Sequence, residues 1–193
     1  MAELDRKIPP QNLEAEQSVL GAILIDAEAM HRVISMLQPE YFYKDAHKTV
    51  FVAMQDLANQ GDPIDLVTLT EKLRTKNNLE RVGGASYLAD LADTVSTSAN
   101  IEYYAKIVEE KALLRKLISV GSEIVESAFS ETQETEQILD QAEKKLFEIT
   151  GSRLEKGFTH IKHILQDVMS DIEKMSESDN TLLGISSGYV DLD

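Results

Sequence analysis

Residues 101–128 read IEYYAKIVEEKALLRKLISVGSEIVESA, without a proline. Ile101, Tyr104, Ala105, Val108, Leu114, Leu117, Ile118, Ile124, Val125 and Ala128 recur at the three- and four-residue intervals that place side chains on one face of a helix. The pattern holds for about eight turns, longer than an ordinary globular helix, and such a rod needs something to cover its apolar stripe. The nearest cover is 135–149, where Ile138, Ala142, Leu146 and Ile149 form a second stripe. Between Lys116 and Lys144 there is no Lys or Arg, while Glu123, Glu126, Glu131, Glu134, Glu136, Asp140 and Glu143 fall there. The acidic span is read as a solvated turn that reverses the chain into a helical hairpin.

Upstream of the rod, punctuation marks a set of shorter helices. Prolines occur only at 9, 10, 39 and 63, so the last 130 residues are free to be helical. Asn12 is placed to cap a helix to about Ile25, and Asp26 a second containing Met30, Val33, Ile34 and Leu37 before Pro39. A third, about 45–60, carries Val50, Phe51, Met54, Leu57 and Ala58 and stops at Gly61. Asp65 caps a fourth with Leu66, Leu69 and Leu73. Gly83-Gly84 marks a turn before a short helix through Tyr87, Leu88 and Leu91, and Ser98 is the expected cap of the long helix. The predicted fold class is all-α: a globular helical bundle followed by a long helical hairpin and a linker helix. The divisions are a head to residue 97, a hairpin over 98–150, a glycine hinge over 151–157 (GSRLEKG), a linker helix and loop over 158–180, and a further segment from 181 to 193. In the linker, Ile161, Ile164, Leu165, Val168 and Ile172 make a narrow stripe that needs a docking partner.

Composition limits the chemistry. With 19 basic and 34 acidic residues the chain carries a formal charge of −15, which opposes binding to a phosphate backbone. It has no Cys, so disulfides, thiolate nucleophiles and Cys-based metal sites are excluded, and a reducing cytoplasmic compartment is compatible with it. No apolar run approaches the length that spans a bilayer. None of the nine glycines belongs to a GxxxxGK[ST] phosphate cradle, and no GxSxG or HExxH motif occurs. His160, His163 and Asp167 lie near one helical face but read as polar surface; Glu14 and Glu16, two apart, do not share a helical face, Glu109 and Glu110 read as ordinary surface pairs, and neither pair gains catalytic standing. His31 and His47 are read as helix-surface or packed histidines, and no catalytic, cofactor or metal residue is assigned.

One resemblance covers nearly the whole chain. Ile8–Leu24 (IPPQNLEAEQSVLGAIL), Tyr41-Phe42, Ala46-His47, Val50-Phe51, the run PIDLVTL over 63–69, Gly83-Gly84 with Tyr87-Leu88, and YYAKIVEEKALLRKL over 103–117 resemble the N-terminal region of bacterial replicative DNA helicases of the DnaB type. Residues 184–193, GISSGYVDLD, resemble the GxPTGFxxLD opening of the family's RecA-like ATPase domain, with Ser186 in place of proline and Tyr189 in place of phenylalanine. The resemblance implies a chain that stops just inside that domain and has no enzymatic activity of its own. ATP, magnesium and DNA would then be handled by the motor of the full-length helicase. It further implies a homo-oligomer, from dimer to hexamer, that binds the primase C-terminal domain and a helicase loader in the cytoplasm, with the linker helix docked on the neighbouring subunit's ATPase domain. Leu113, Leu114, Leu117, Ile118, Ile124 and Val125 are expected to hold the hairpin together or pair it with another. Gly83, Gly84, Tyr87 and Leu91 are the expected primase-facing positions. The competing readings are an independent acidic helical adaptor or inhibitor and a small enzyme with a dispersed carboxylate site.

Overall fold

The computed structural model describes residues 8–130 and 134–154, and every regular element among them is helical. Helix α1 (Leu13–Ile25) begins where expected, with Asn12 Oδ1 accepting the Ala15 N–H at 3.0 Å. Most of α1 is buried, including Ala15, Val19, Leu20, Ala22 and Ile23, because the later helices of the head pack around it. Gly21 permits the closest of these contacts: a Cβ there would lie 2.2 Å from the carbonyl oxygen of Leu91. Any side chain would push the two backbones apart.

Helix α2 (Ala29–Val33) is shorter than the sequence pattern suggests, and Asp26 does not cap it. The Asp26 carboxylate instead accepts the Ser98 hydroxyl at 2.5 Å and pairs with Arg32 at 3.3 Å, while Arg32 also donates to the Ser98 carbonyl at 3.2 Å. Asp26 and Ser98, both expected as helix caps, are thus spent on each other across the fold. That three-way link fastens the α1–α2 corner to the start of the long helix. Leu37, beyond α2, is still buried, and a single 3₁₀ turn at Pro39–Tyr41 follows.

Helix α3 (Asp45–Gln60) buries Val50, Phe51, Met54 and Leu57 and ends at Gly61, whose φ of 71° is the left-handed conformation that glycine adopts cheaply. The Phe51 ring packs 4.9 Å from that of Phe42, tilted by 38°, and Phe42 is fully buried. Helix α4 (Leu66–Thr75) starts with a reciprocal cap. Asp65 Oδ1 accepts the N–H groups of Val67 and Thr68 at 2.8 and 2.9 Å, and Thr68 Oγ1 accepts the Asp65 N–H at 3.1 Å. The Thr68 N–H holds the Asp65 carboxyl below the usual aspartate range against the opposing effect of burial, with the Thr68 hydroxyl and the Val67 N–H adding to it. The folded pKa therefore lies below the unfolded one. The cap contributes its stability above the unfolded value and loses it as pH falls through the folded value. Asp65→Ala is expected to cost about 1 kcal/mol near neutrality, a gap that urea denaturation should find narrowed in acid.

A one-turn helix without a pattern of its own in the sequence, α5 (Leu79–Val82), leads through Gly83 into α6 (Gly84–Asp93), which buries Leu88 and Leu91. Helix α7 (Ile101–Ser130) lays Ile101, Ala105, Val108 and Ala112 against the head at intervals of four, three and four. Past that point it leaves the head. Helix α8 (Thr135–Leu154) runs back beside it, with Lys145 Nζ 2.8 Å from Glu123 Oε2 and with Val120 and Ile149 buried at the same level. This is the expected hairpin. It is longer than the sequence indicated, since α8 continues through Gly151 to Leu154, into the expected hinge. The linker positions Ile161, Ile164, Leu165, Val168 and Ile172 and the 184–193 motif lie outside the described residues. Among the described residues no helix is long and apolar enough to cross a membrane.

Candidate interaction surfaces

Beyond the head, α7 carries two apolar stripes. Val120 is buried, and Leu113 and Ile124, about three turns apart, are half-buried on the same side of the helix as Val120. Leu114, Ile118, Gly121 and Val125 follow one another at four, three and four residues on a different face, rotated by roughly a third of a turn at 100° per residue. Leu114, Ile118 and Val125 are 44%, 49% and 46% exposed, Leu117 beside them 47%, and Phe129 extends the line toward the tip. A Cβ on Gly121 would meet nothing within 4 Å. The six hairpin positions named from sequence therefore differ in exposure: Leu113 and Ile124 are half-buried, while Leu114, Leu117, Ile118 and Val125 are exposed. Helix α8 adds Leu139, Leu146 and Phe147 as exposed apolar side chains. These side chains make an exposed apolar line along a charged hairpin rather than singly scattered surface leucines. Its flanks are acidic, and Lys145 draws the Glu123 carboxyl below its ordinary range through their hydrogen bond and ion pair.

On the head, Gly83 and Gly84 both have positive φ, 109° and 76°, and turn the chain so that α6 presents Tyr87 at its rim. Leu91 is only 1% exposed and packs inward, so it offers a partner no side-chain surface. Tyr87 is half-buried and heavily committed. Its hydroxyl lies 2.9 Å from Lys44 Nζ, which sits 4.2 Å from the ring centroid, and 2.7 Å from His47 Nε2. The His47 and Tyr87 rings are stacked at 6.2 Å with 6° between their planes.

Beneath Tyr87 lies polar structure that the sequence did not disclose. His47 is fully buried, in line with its reading as a packed histidine, and Glu16 is 1% exposed. His47 Nδ1 lies 2.6 Å from Glu16 Oε2; because a carboxylate only accepts, the shared hydrogen is on the ring nitrogen. Glu16 Oε1 accepts the Tyr43 N–H at 2.7 Å, and Oε2 the Lys44 N–H at 3.4 Å. From the opposite side Arg115 grips the same segment. Its Nη1 donates to the Pro10 carbonyl at 2.7 Å and its Nη2 to the Tyr41 carbonyl at 2.5 Å, with the guanidinium 5.7 Å from the Tyr43 ring centroid. Partial burial lowers the Arg115 pKa from its ordinary value, opposed by the Glu16 and Tyr43 charges. Two signals in the sequence were available. Glu16 falls three and four residues before Val19 and Leu20, on the buried face of α1, and Arg115 is the next step after Ala112 in the stripe that faces the head.

Three comparisons bear on this arrangement. The family model described as DnaB-like helicase N terminal domain matches residues 8–110, which is the head and the first turns of α7. The Geobacillus stearothermophilus replicative DNA helicase DnaB is 43% identical over 194 residues, covering 100% of this chain and 43% of that protein. The chain thus spans less than half the length of that relative. Among solved structures, the crystal structure of the N-terminal domain of DnaB helicase from Mycobacterium tuberculosis superposes with a TM-score of 0.70 at 42% identity, covering 73% of this chain and 99% of that one. A DnaB-like replicative helicase whose structure was described together with its interactions with primase gives 0.68 at 29% identity, covering 94% of this chain and 39% of that one. The motif matches along α1, α3, α4 and α6, the all-helical head and the hairpin agree with these likenesses, and the chain belongs to the family of DnaB-like replicative helicase N-terminal domains.

Proposed function

We propose that this chain is the collar module of a replicative DNA helicase, which assembles subunits and recruits primase or a loader during DNA replication. The observation that carries the reading is the open apolar line from Leu114 to Val125 on α7, in a chain that belongs to this family. A second copy of the hairpin is its occupant. A two-fold pair would bring each stripe against its own counterpart, a self-complementary contact that removes both from water. Dimers built this way would be the units of a hexameric ring.

The primase reading is supported by likeness to the helicase described with its interactions with primase. Tyr87 and the Gly83-Gly84 turn supply the head surface, and the hairpin face supplies the remainder. Unwinding driven by ATP hydrolysis belongs to the full-length protein. The phosphate cradle that would hold ATP and magnesium is missing from these 193 residues, so no step of hydrolysis is assigned to them. Ile161, Ile164, Leu165, Val168 and Ile172 are the stripe by which the linker helix would dock on a neighbouring subunit's ATPase domain.

Titration with a cognate primase C-terminal domain, followed by calorimetry and multi-angle scattering, tests the reading. Saturable binding, weakened about tenfold or more by Tyr87→Ala, is the expected result. No binding to this chain or to the full-length helicase would remove the recruitment role.

A further inference from the structure

The contacts beneath Tyr87 form an unbroken series from the head's rim to the root of the hairpin. Lys44 Nζ meets the Tyr87 hydroxyl, which meets His47 Nε2; His47 Nδ1 meets Glu16; Glu16 holds the Tyr43 N–H; and Arg115 holds the Tyr41 carbonyl beside the Tyr43 ring. Residues 41–43 are therefore clamped from two sides, by α1 through Glu16 and by α7 through Arg115. Arg115 is also where α7 leaves the head. Ile101, Ala105, Val108 and Ala112 fix the helix upstream of it by packing, and the next buried residue, Val120, belongs to the hairpin. The direction in which the hairpin projects is set at this point. A guanidinium with two carbonyl acceptors fixes that direction more closely than an apolar contact, because its planar fork has few orientations that satisfy both bonds.

We propose that Tyr87, His47, Glu16 and Arg115 act as one linkage that sets the angle of the hairpin to the head, so that a partner seated on the Tyr87 surface changes the presentation of the hairpin face. The role given to the partner rests on the reading of Tyr87 as partner-facing; the linkage itself does not. Its elements are short polar contacts among groups that are buried at Glu16 and His47 and have few alternative partners there. A shift at one end must be accommodated along the series or leave a buried donor without its acceptor. His47, Glu16 and Arg115 are positioning residues in this scheme; Glu16 and His47 are buried, while Tyr87 and Lys44 reach the surface at the rim of the head.

The chain has no Cys, so spin labels at Val67→Cys, 78% exposed on the head, and at the exposed Glu136→Cys near the hairpin tip report head-to-hairpin distance without background. Pulsed electron paramagnetic resonance on labelled chain diluted into excess unlabelled chain reads that distance within one molecule. A single narrow distance is expected for the parent. Arg115→Gln should broaden or shift it, and Arg115→Lys should not restore it. Tyr87→Phe removes one hydroxyl and leaves the packing intact; it should shift the distribution in the same direction, and the Tyr87→Phe/Arg115→Gln pair should go no further than Arg115→Gln alone. Lys48→Ala breaks the Lys48–Asp45 pair on the same surface but outside the series, and should leave the distance unchanged. The linkage is overturned if Tyr87→Phe matches the parent, if the two effects simply add, or if Lys48→Ala shifts the distance as much as Tyr87→Phe. Since no primase is present, those results are independent of whether primase binds.

Discussion

Replacing Glu16 with alanine is expected to lower the free energy of unfolding by about 3–5 kcal/mol, the cost typical of removing one member of a buried, hydrogen-bonded polar pair. The loss is that large because one carboxylate serves three donors. Without it, His47 Nδ1 and the N–H groups of Tyr43 and Lys44 have lost their acceptor, and a side chain with 1% exposure leaves a space that the fully buried His47 ring cannot reach water to fill. Charge alone would give the opposite sign. The chain carries −15, so deleting an acidic group relieves repulsion and should stabilise slightly. Burial therefore decides the outcome. In a domain of this size each kcal/mol moves the melting temperature by about 2–4 °C, which puts the midpoint of Glu16→Ala about 6–20 °C below the parent. Glu16→Gln retains one acceptor but presents an NH₂ group to two donors, and should fall between the two. Thermal and urea unfolding would measure both, and a loss under about 1 kcal/mol for Glu16→Ala would mean that the carboxylate is not the hub of these contacts.

The same residue shows where the sequence is readable and where it is not. Local chemistry was legible: Asn12, Gly61 and Asp65 each act on backbone groups within a few residues, so the starts of α1 and α4 and the end of α3 fall where the pattern places them. Asp26 and Ser98 have the residue types of caps too, yet they satisfy each other from 72 positions apart, and nothing in either neighbourhood announces that pairing. Helix α8 likewise continues through Gly151 to Leu154, since one glycine inside a helix costs only about 1 kcal/mol and does not by itself end it. Periodicity found both apolar stripes of α7 but merged them, since a helix that packs on the head, then on α8, and exposes a third line to solvent shows apolar residues on more than one face. The division of Leu113 and Ile124 from Leu114, Leu117, Ile118 and Val125 is one of exposure, which needed the folded chain. Glu16 draws no attention as one acidic residue among many, although its register on α1 is that of a core position.

Ile118→Asp puts that division to use, and its expected effect is on association rather than on folding. Ile118 is 49% exposed on a face of α7 that α8 does not cover, so a carboxylate there remains solvated in the free chain and the melting profile should stay close to the parent's. In a two-fold hairpin pair each such substitution acts twice. Two half-exposed isoleucines no longer contribute their burial, about 1.5 kcal/mol each, and two added negative charges face each other among flanks already acidic at Glu123 and Glu126. The sum of the burial terms, about 3 kcal/mol, corresponds to at least a hundredfold weaker dimer, and the like charges add to it. Ile124→Asp provides the contrast. Ile124 is half-buried on the same side of the helix as Val120, so its replacement should melt or splay the hairpin and lower thermal stability together with association. Multi-angle scattering across a concentration series, paired with thermal unfolding, separates the two. If Ile118→Asp leaves the dimer intact, the exposed line on α7 is not the self-association face. If it unfolds the hairpin as Ile124→Asp does, the two stripes are not independent, and the face proposed for pairing is part of the hairpin's own core.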